Sequence, residues 1–292
     1  MTLSEGWYVD GVRLDRWADV DDENGVTIEN RTGWDDVPGL RGEDVTLLGV
    51  HGNAWRRKRY GPGRKTLTLS VNGVTAGTYG HGVPGTAVER RAASEQALDN
   101  LLRMFAPRHR LLSVERVHAD GSHRRADCEV MSALTPAPVG DTAYKMSVEL
   151  SVPGSFWEDV DPVTHLVDYD PVVGGSQDLE VYSLAGQTAP CTDAVVTVTG
   201  PCTTVSIVDA ETGSGFSYGA LSGAETLVVD SGTWTAVVGS TSVITNVALT
   251  DQVMIELGPA PSDDMGPTVT VNATGTSAGF TVAFTTHRKW LR

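Results

Sequence analysis

TAVERRAASEQALDNLLRMFAP, residues Thr86 to Pro107, is the stretch that decides the fold class. Leu98, Leu101, Leu102 and Phe105 fall at i, i+3, i+4 and i+7, which puts four apolar side chains on one face of a helix. Thr86 followed three residues later by Glu89 is a capping-box start, worth about 1 kcal/mol. Pro107 supplies the stop, because proline lacks the N–H that a helix interior needs. Full burial of each apolar side chain contributes roughly 1.5–3 kcal/mol. A helix with a single apolar stripe needs a sheet to lie on, and strand-like segments flank it on both sides. It is read as a packing element without chemistry, since apolar stripes usually face a core. Arg90, Arg91 and Arg103 lie off the stripe and face solvent or a neighbouring subunit.

Upstream of the helix, Thr66 to Val71 alternates, with Leu67, Leu69 and Val71 on one face and Thr66, Thr68 and Ser70 on the other. Asn72-Gly73 ends this strand, and Gly77 to Gly85, with His81 among its glycines, is a loop leading into the helix. Tyr8 to Leu14 reads as a hairpin turning at Asp10-Gly11. Asp19, Asp21, Asp22 and Glu23 lack the glycine and distant glutamate of a calcium loop and read as solvated. Val26 to Asn30 is a short strand, Arg31 to Asp44 is turn-rich, and Val45 to Leu48 begins another strand.

Between these lies the densest basic patch of the chain, Trp55-Arg56-Arg57-Lys58-Arg59-Tyr60-Gly61-Pro62-Gly63-Arg64-Lys65. Arg56, Arg57, Lys58, Arg59, Arg64 and Lys65 are the candidate inter-subunit contacts, carried on a long hairpin that docks on an acidic neighbour. Gripping a nucleic-acid backbone is the competing reading, but this half has no broad basic footprint. GPGRKT, Gly61 to Thr66, carries Arg64 where a phosphate loop needs its second glycine.

Downstream of the helix, Leu111 to Val117 and Ala126 to Leu134 are strands joined through Asp120-Gly121. His118 and His123 flank that turn, yet a third metal ligand is not evident, so they read as exposed turn residues. Tyr144 to Val152 alternates cleanly, Pro153-Gly154 breaks it, and Phe156-Trp157 close the first core. Glu158 to Gln177 reads as a linker. From Asp178 onward, short strands are expected at Leu179–Leu184, Val195–Thr199, Thr203–Val208, Thr226–Asp230, Thr233–Val238, Ser242–Leu249, Val253–Leu257, Thr268–Asn272 and Phe280–Thr286. Turn signals separate them, as in an antiparallel sandwich or jelly roll. The tail His287-Arg288-Lys289-Trp290-Leu291-Arg292 reads as a strap docking somewhere specific.

Of 292 residues, 40% are hydrophobic and 20% charged, enough apolar content for a real core. No apolar run approaches the roughly 18 residues of a membrane helix. The start, MTLSEGWYVDG, lacks the pattern of a signal peptide. The net charge of −15 is uneven: residues 1–157 carry 19 Lys/Arg against 21 Asp/Glu, and residues 158–292 carry 3 against 16. The second half therefore excludes a nucleic-acid surface and suits a basic partner. Cys128, Cys191 and Cys202 make neither a disulfide framework nor a zinc motif and are expected as free thiols. No Gly-x-Ser-x-Gly, His-Glu-x-x-His or Cys-x-x-Cys motif is present, so no catalytic, cofactor or metal residue is assigned and the chain is not expected to be an enzyme.

The order of hairpin, GVTIENRTG strand, basic arm, TLTLSVNG, one helix ending LLRMFAP and then YKMSVELSVPGSFW resembles the distal tail protein of long-tailed bacteriophages. The all-β second half ending FTVAFTTHRKWLR is similar to that family's galectin-like sandwich. The resemblance implies a β-sandwich or barrel-like ring-forming domain with one packed helix over residues 1–157, a linker over 158–177, and a galectin-like antiparallel β-sandwich over 178–292. It implies a homohexameric ring at the distal end of the virion tail, assembled in the host cytoplasm. Its implied partners are the tail tube protein, the tape measure protein and the tail-tip hub, with the genome passing through the lumen without specific binding. No cofactor and no membrane insertion are implied. The alternative is a host-surface carbohydrate-binding module, with Tyr218, Trp234 and Trp290 as candidate stacking residues.

Overall fold

The computed structural model describes residues 5–14, 26–41, 45–46, 53–54, 59–73, 86–106, 110–223, 225–251 and 253–292. It is mainly β with one long α-helix among the described residues, and it divides into two compact units. Residues 1–157 with 291–292 form the first, and 158–290 form the second.

The first unit is organised on antiparallel strands in the spatial order Val12–Arg13, Gly6–Val9, Leu112–Val117, His123–Val130, Ala143–Val152, Gly63–Asn72 and Val26–Thr32. Asp10 and Gly11, with φ of 49° and 79°, make the tight turn of the first hairpin. The His123–Val130 strand serves two partners. His123 to Cys128 pair with Val117 to Leu112, while Glu129 and Val130 pair with Ser151 and Leu150. The sheet turns its corner there.

Alternation puts Leu67, Leu69 and Val71 at full burial opposite Val148, Met146 and Tyr144 across the longest ladder. The Ala87–Phe105 helix packs on these two strands through Ser94, Ala97, Leu98, Leu101 and Phe105. The buried face therefore runs further toward the N-terminus than the expected stripe, and Leu102 is only half-buried. Ser94 tolerates the core because its hydroxyl donates to the Arg91 carbonyl at 2.8 Å. The capping box forms: Thr86 Oγ1 accepts from the Glu89 N–H at 3.3 Å, and the Thr86 N–H donates to the Glu89 carboxylate at 2.6 Å. Gly73 lies so close to the helix that an added Cβ would sit 1.8 Å from the Arg90 carbonyl oxygen. Only glycine lets strand and helix meet there.

Three buried tryptophans weld the other side of this core. Trp7, Trp34 and Trp157 have ring centroids 5.2, 5.3 and 5.8 Å apart in edge-on and tilted contacts. The Trp34 indole N–H reaches the Thr66 carbonyl at 3.2 Å, satisfying its one donor. Of the expected closing pair, Trp157 enters this cluster and Phe156 packs instead on Tyr60, 5.1 Å between centroids.

The second unit is a sandwich of two antiparallel sheets. One has the order Val163–Leu166, Thr281–Thr286, Val195–Thr199, Thr226–Asp230, Thr235–Val238 and Thr241–Ser242. The other runs Gly175–Glu180, Thr268–Thr274, Thr204–Asp209, Gly215–Tyr218 and Ala248–Leu249. Strictly alternating burial along Val195–Thr199 and Thr226–Asp230 feeds one shared core with Ile207, Phe216, Val271 and Phe284.

The expected linker is corrected here. Val163–Leu166 pairs with Thr286–Ala283, and Gly175–Glu180 pairs with Ala273–Thr268, so residues 158–177 supply edge strands to both sheets. Their polar and glycine-rich composition reflects edge positions, where one side of each strand faces water. Several strand expectations also change: Ser242–Leu249 is broken by a 3-10 turn at Ile244–Asn246, and the strand expected over Leu179–Leu184 ends at Glu180 and gives way to a 3-10 turn. Val253–Leu257 forms no ladder: Met254, Ile255 and Leu257 are buried, and Leu257 makes a single bridge to Cys191. Gly215–Tyr218, outside the expected strands, is a strand with Phe216 fully buried. The three cysteines are free and buried.

Candidate functional site

The basic arm has a defined base. Leu40–Arg41 pairs with Arg59–Tyr60, and Val45–Thr46 pairs with Asn53–Ala54, as antiparallel rungs. Arg56, Arg57 and Lys58 lie outside the described residues. Arg59 and Arg64 are exposed, and Arg64 alternates outward along the Gly63–Asn72 strand.

Lys65 departs from the expectation. It is 5% exposed, and its ammonium donates to the carbonyls of Gly33 and Asp36, the latter at 3.2 Å. Burial drives its pKa down, with Asp36 opposing that shift. Lys65 clamps the Gly33–Asp36 turn that carries Trp34 and is withdrawn from any contact with a neighbour. The pattern of alternation contains the reason: Gly63, Lys65, Leu67, Leu69 and Val71 share the inward face.

The arm's base is fastened to the end of the first unit. The Gly61 N–H donates to the Gly39 carbonyl at 2.7 Å, and the Ser155 hydroxyl donates to the Gly61 carbonyl at 2.8 Å. Ser155 holds φ of 66° to do so, and its neighbour Phe156 packs on Tyr60. The phrase PGSFW therefore has two duties: Ser155 and Phe156 seat the arm, and Trp157 enters the tryptophan core. Arg91 on the helix is exposed and pairs with Glu95 at 3.0 Å, an i,i+4 contact of small energy.

The candidate carbohydrate contacts do not converge. Tyr218 lies opposite Val205, past the end of the Val195–Thr199 strand, whereas Trp234 follows Asp230, which pairs with Val195 at the start of that strand. The two aromatics sit at opposite ends of the sandwich. Trp290 is committed to the protein: its indole N–H donates to Asp159 at 2.6 Å, and the Arg288 guanidinium lies 5.8 Å from its ring centroid. Trp234 alone presents a free ring, 51% exposed, with φ of 57°.

The tail docks as a strap within the second unit. Arg288 pairs with Asp159 at 2.6 Å, and the buried Lys289 ammonium bridges Glu158 and Asp193, the latter at 2.7 Å. Burial resists charge on both partners. Even so, Lys289 holds the Asp193 carboxyl below its ordinary range, and the two carboxylates hold the Lys289 ammonium above its own. Glu158, Asp193 and His287 also form the one cluster of three metal-type ligands among the described residues. Lys289 already supplies its cation. His118 and His123 flank one hairpin turn: His123 pairs with Glu115 at 2.9 Å, and burial with Arg116 and Arg124 lowers the His118 pKa. His81 lies outside the described residues.

Among the described residues, then, the chain offers the exposed Arg59 and Arg64 at a hydrogen-bonded arm base, and an acidic sandwich. No family model matches the sequence, and no curated protein matches it. Its fold of two compact β units has a counterpart among solved structures. The crystal structure of the Dit protein (gp 19.1) of phage SPP1, described as a paradigm of the hub adsorption apparatus in phages infecting Gram-positive bacteria, matches over 98% of this chain and 99% of that chain. The TM-score is 0.59 at 13% identity, so what is shared is the fold. The baseplate of phage P2 in its activated conformation with Ca matches over 91% of each chain, at 8% identity and a TM-score of 0.35, and the form with Sr gives 0.33. No helix among the described residues is long and apolar enough to cross a membrane.

Proposed function

We propose that this chain is a structural component of a phage tail, an adaptor that forms a homohexameric ring at the distal end and joins the tail tube to the tail-tip hub. The observation that carries the reading is the likeness of fold to SPP1 Dit over nearly the whole of both chains. The exposed Arg59 and Arg64, on a base fastened by Gly39, Ser155 and Phe156, support it by offering cations at a defined place. In this reading Arg56, Arg57, Lys58, Arg59 and Arg64 contact a neighbouring copy, and Lys65 acts inside its own protomer. In the same reading the first units make the ring around the tape measure protein and later the passing genome. The role is assembly, with no reaction to catalyse.

Mass in solution tests it. The wild type is expected as a ring of six, and the double variant Arg56→Glu/Arg57→Glu as smaller species of unchanged thermal stability. A wild-type monomer that also fails to enter assembled tails would overturn the reading. Carbohydrate binding now rests on Trp234 alone, and a screen of host wall glycans against the full chain separates it from the structural role.

A further inference from the structure

One residue of the second unit is held where its type is uncomfortable. Trp234 closes the hairpin between Thr226–Asp230 and Thr235–Val238 with φ of 57°, in the left-handed region that a bulky side chain rarely adopts. Glycine or asparagine fills such a position without that cost. The turn itself is firmly built. Asp230 Oδ1 accepts from the N–H groups of Gly232 and Thr233 at 2.9 and 3.0 Å, and the hydroxyls of Thr233 and Thr235 lie 3.0 Å apart. Half of its surface nevertheless meets solvent. A strained, displayed tryptophan marks a contact with something outside the chain.

The chemistry around it indicates what that something carries. Asp230 is in the turn, and Gly232 sits against Asp193, where an added Cβ would lie 3.2 Å from the Asp193 Cβ. The whole half of the chain bears 3 Lys/Arg against 16 Asp/Glu. A half-exposed indole in an acidic field attracts a cation, above all a guanidinium, which stacks on the ring and can reach a nearby acid such as Asp230. The densest run of cations in this protein is Arg56-Arg57-Lys58-Arg59.

We propose that the Trp234 turn is the docking surface for this basic stretch of a second copy of the chain, with an arginine stacked on the indole and paired to Asp230. The proposal rests on self-association, and it adds the place on the neighbour where the arm lands.

Replacing Trp234 by the photo-crosslinker p-benzoylphenylalanine in the full chain, and mixing ¹⁴N- and ¹⁵N-labelled copies, reads the contact directly. Cross-links are expected from position 234 to the peptide holding residues 56–59, and they are expected to pair light with heavy copies. Trp234→Ala should weaken association by tenfold or more. Trp234→Gly should do the same while raising Tm by a few degrees, because it removes the strain and leaves the fold. Rings that form normally with cross-links elsewhere, or with light pairing only with light, overturn the docking while leaving the adaptor role intact. A monomer at all concentrations overturns both. A fall in Tm for Trp234→Gly, or Trp234-dependent binding of a host glycan with no link to residues 56–59, also overturns the docking.

Discussion

At the scale of single residues, charge and burial decide what each group is free to do. Lys65 and Arg64 are neighbours in sequence, yet one is sealed against two carbonyls and the other is in water, because a strand turns alternate side chains to opposite faces. The thiols follow the same logic. Burial pushes the Cys191 pKa up to about 12 and raises those of Cys128 and Cys202, so each stays a neutral, unreactive thiol near pH 7. Native protein is expected to show no fast-reacting thiol in a colorimetric titration, and all three after denaturation. Rapid labelling of one in the native state would contradict the packing. Asp193 carries a pH dependence whose sign is fixed. Its pKa is depressed on folding below the ordinary 3.8, so the unfolded chain binds more protons in that window. The stability it contributes is fully present above that ordinary value and is lost as pH falls through the folded one. Between about pH 5 and pH 2 the Tm of Asp193→Asn is therefore expected to fall less steeply than that of the wild type, as followed by thermal melts.

At the scale of elements, the helix and its cap were legible in sequence because their signals are local. A threonine and a glutamate three residues apart make the capping box wherever a helix begins, and they make it here. Thr86→Ala is expected to cost about 1 kcal/mol, measured by chemical denaturation, with the Trp34 environment unchanged. The stripe was legible only approximately. Which residues of a helix are buried depends on the surface it meets, and contact with the Gly63–Asn72 and Ala143–Val152 strands draws in Ser94 and Ala97 and leaves Leu102 half out. Edge strands were the hardest to read. Val163–Leu166 and Gly175–Glu180 are short edge strands set among Asp, Pro and Gly residues, and those flanking turn formers give residues 158–177 the composition of a linker.

For the whole molecule, the division of charge between the halves has a physical use. In the proposed assembly, the cationic arm of one copy meets a second unit with 16 acidic side chains on another, so unlike surfaces attract and like surfaces repel. Association through such contacts is expected to weaken with salt: raising ionic strength from about 0.05 M to about 0.5 M should loosen the wild-type assembly and leave Arg56→Glu/Arg57→Glu little changed. Sedimentation at both salt concentrations measures this. Assemblies indifferent to salt would point to an apolar interface instead.

The sequence by itself determined the class: one capped helix, alternating β-segments in a known order, an acidic second half and a single basic stretch, all local or compositional properties that need no partner to be read. Only the tertiary structure decided that Lys65 faces inward, that Glu158 to Gln177 belongs to a sandwich, that Tyr218 and Trp234 stand at opposite ends and that the tail straps onto Asp159, Glu158 and Asp193. These are facts about which distant segments meet. Register, burial and ion pairing across a hundred residues come from the packed core, and no window of sequence contains them.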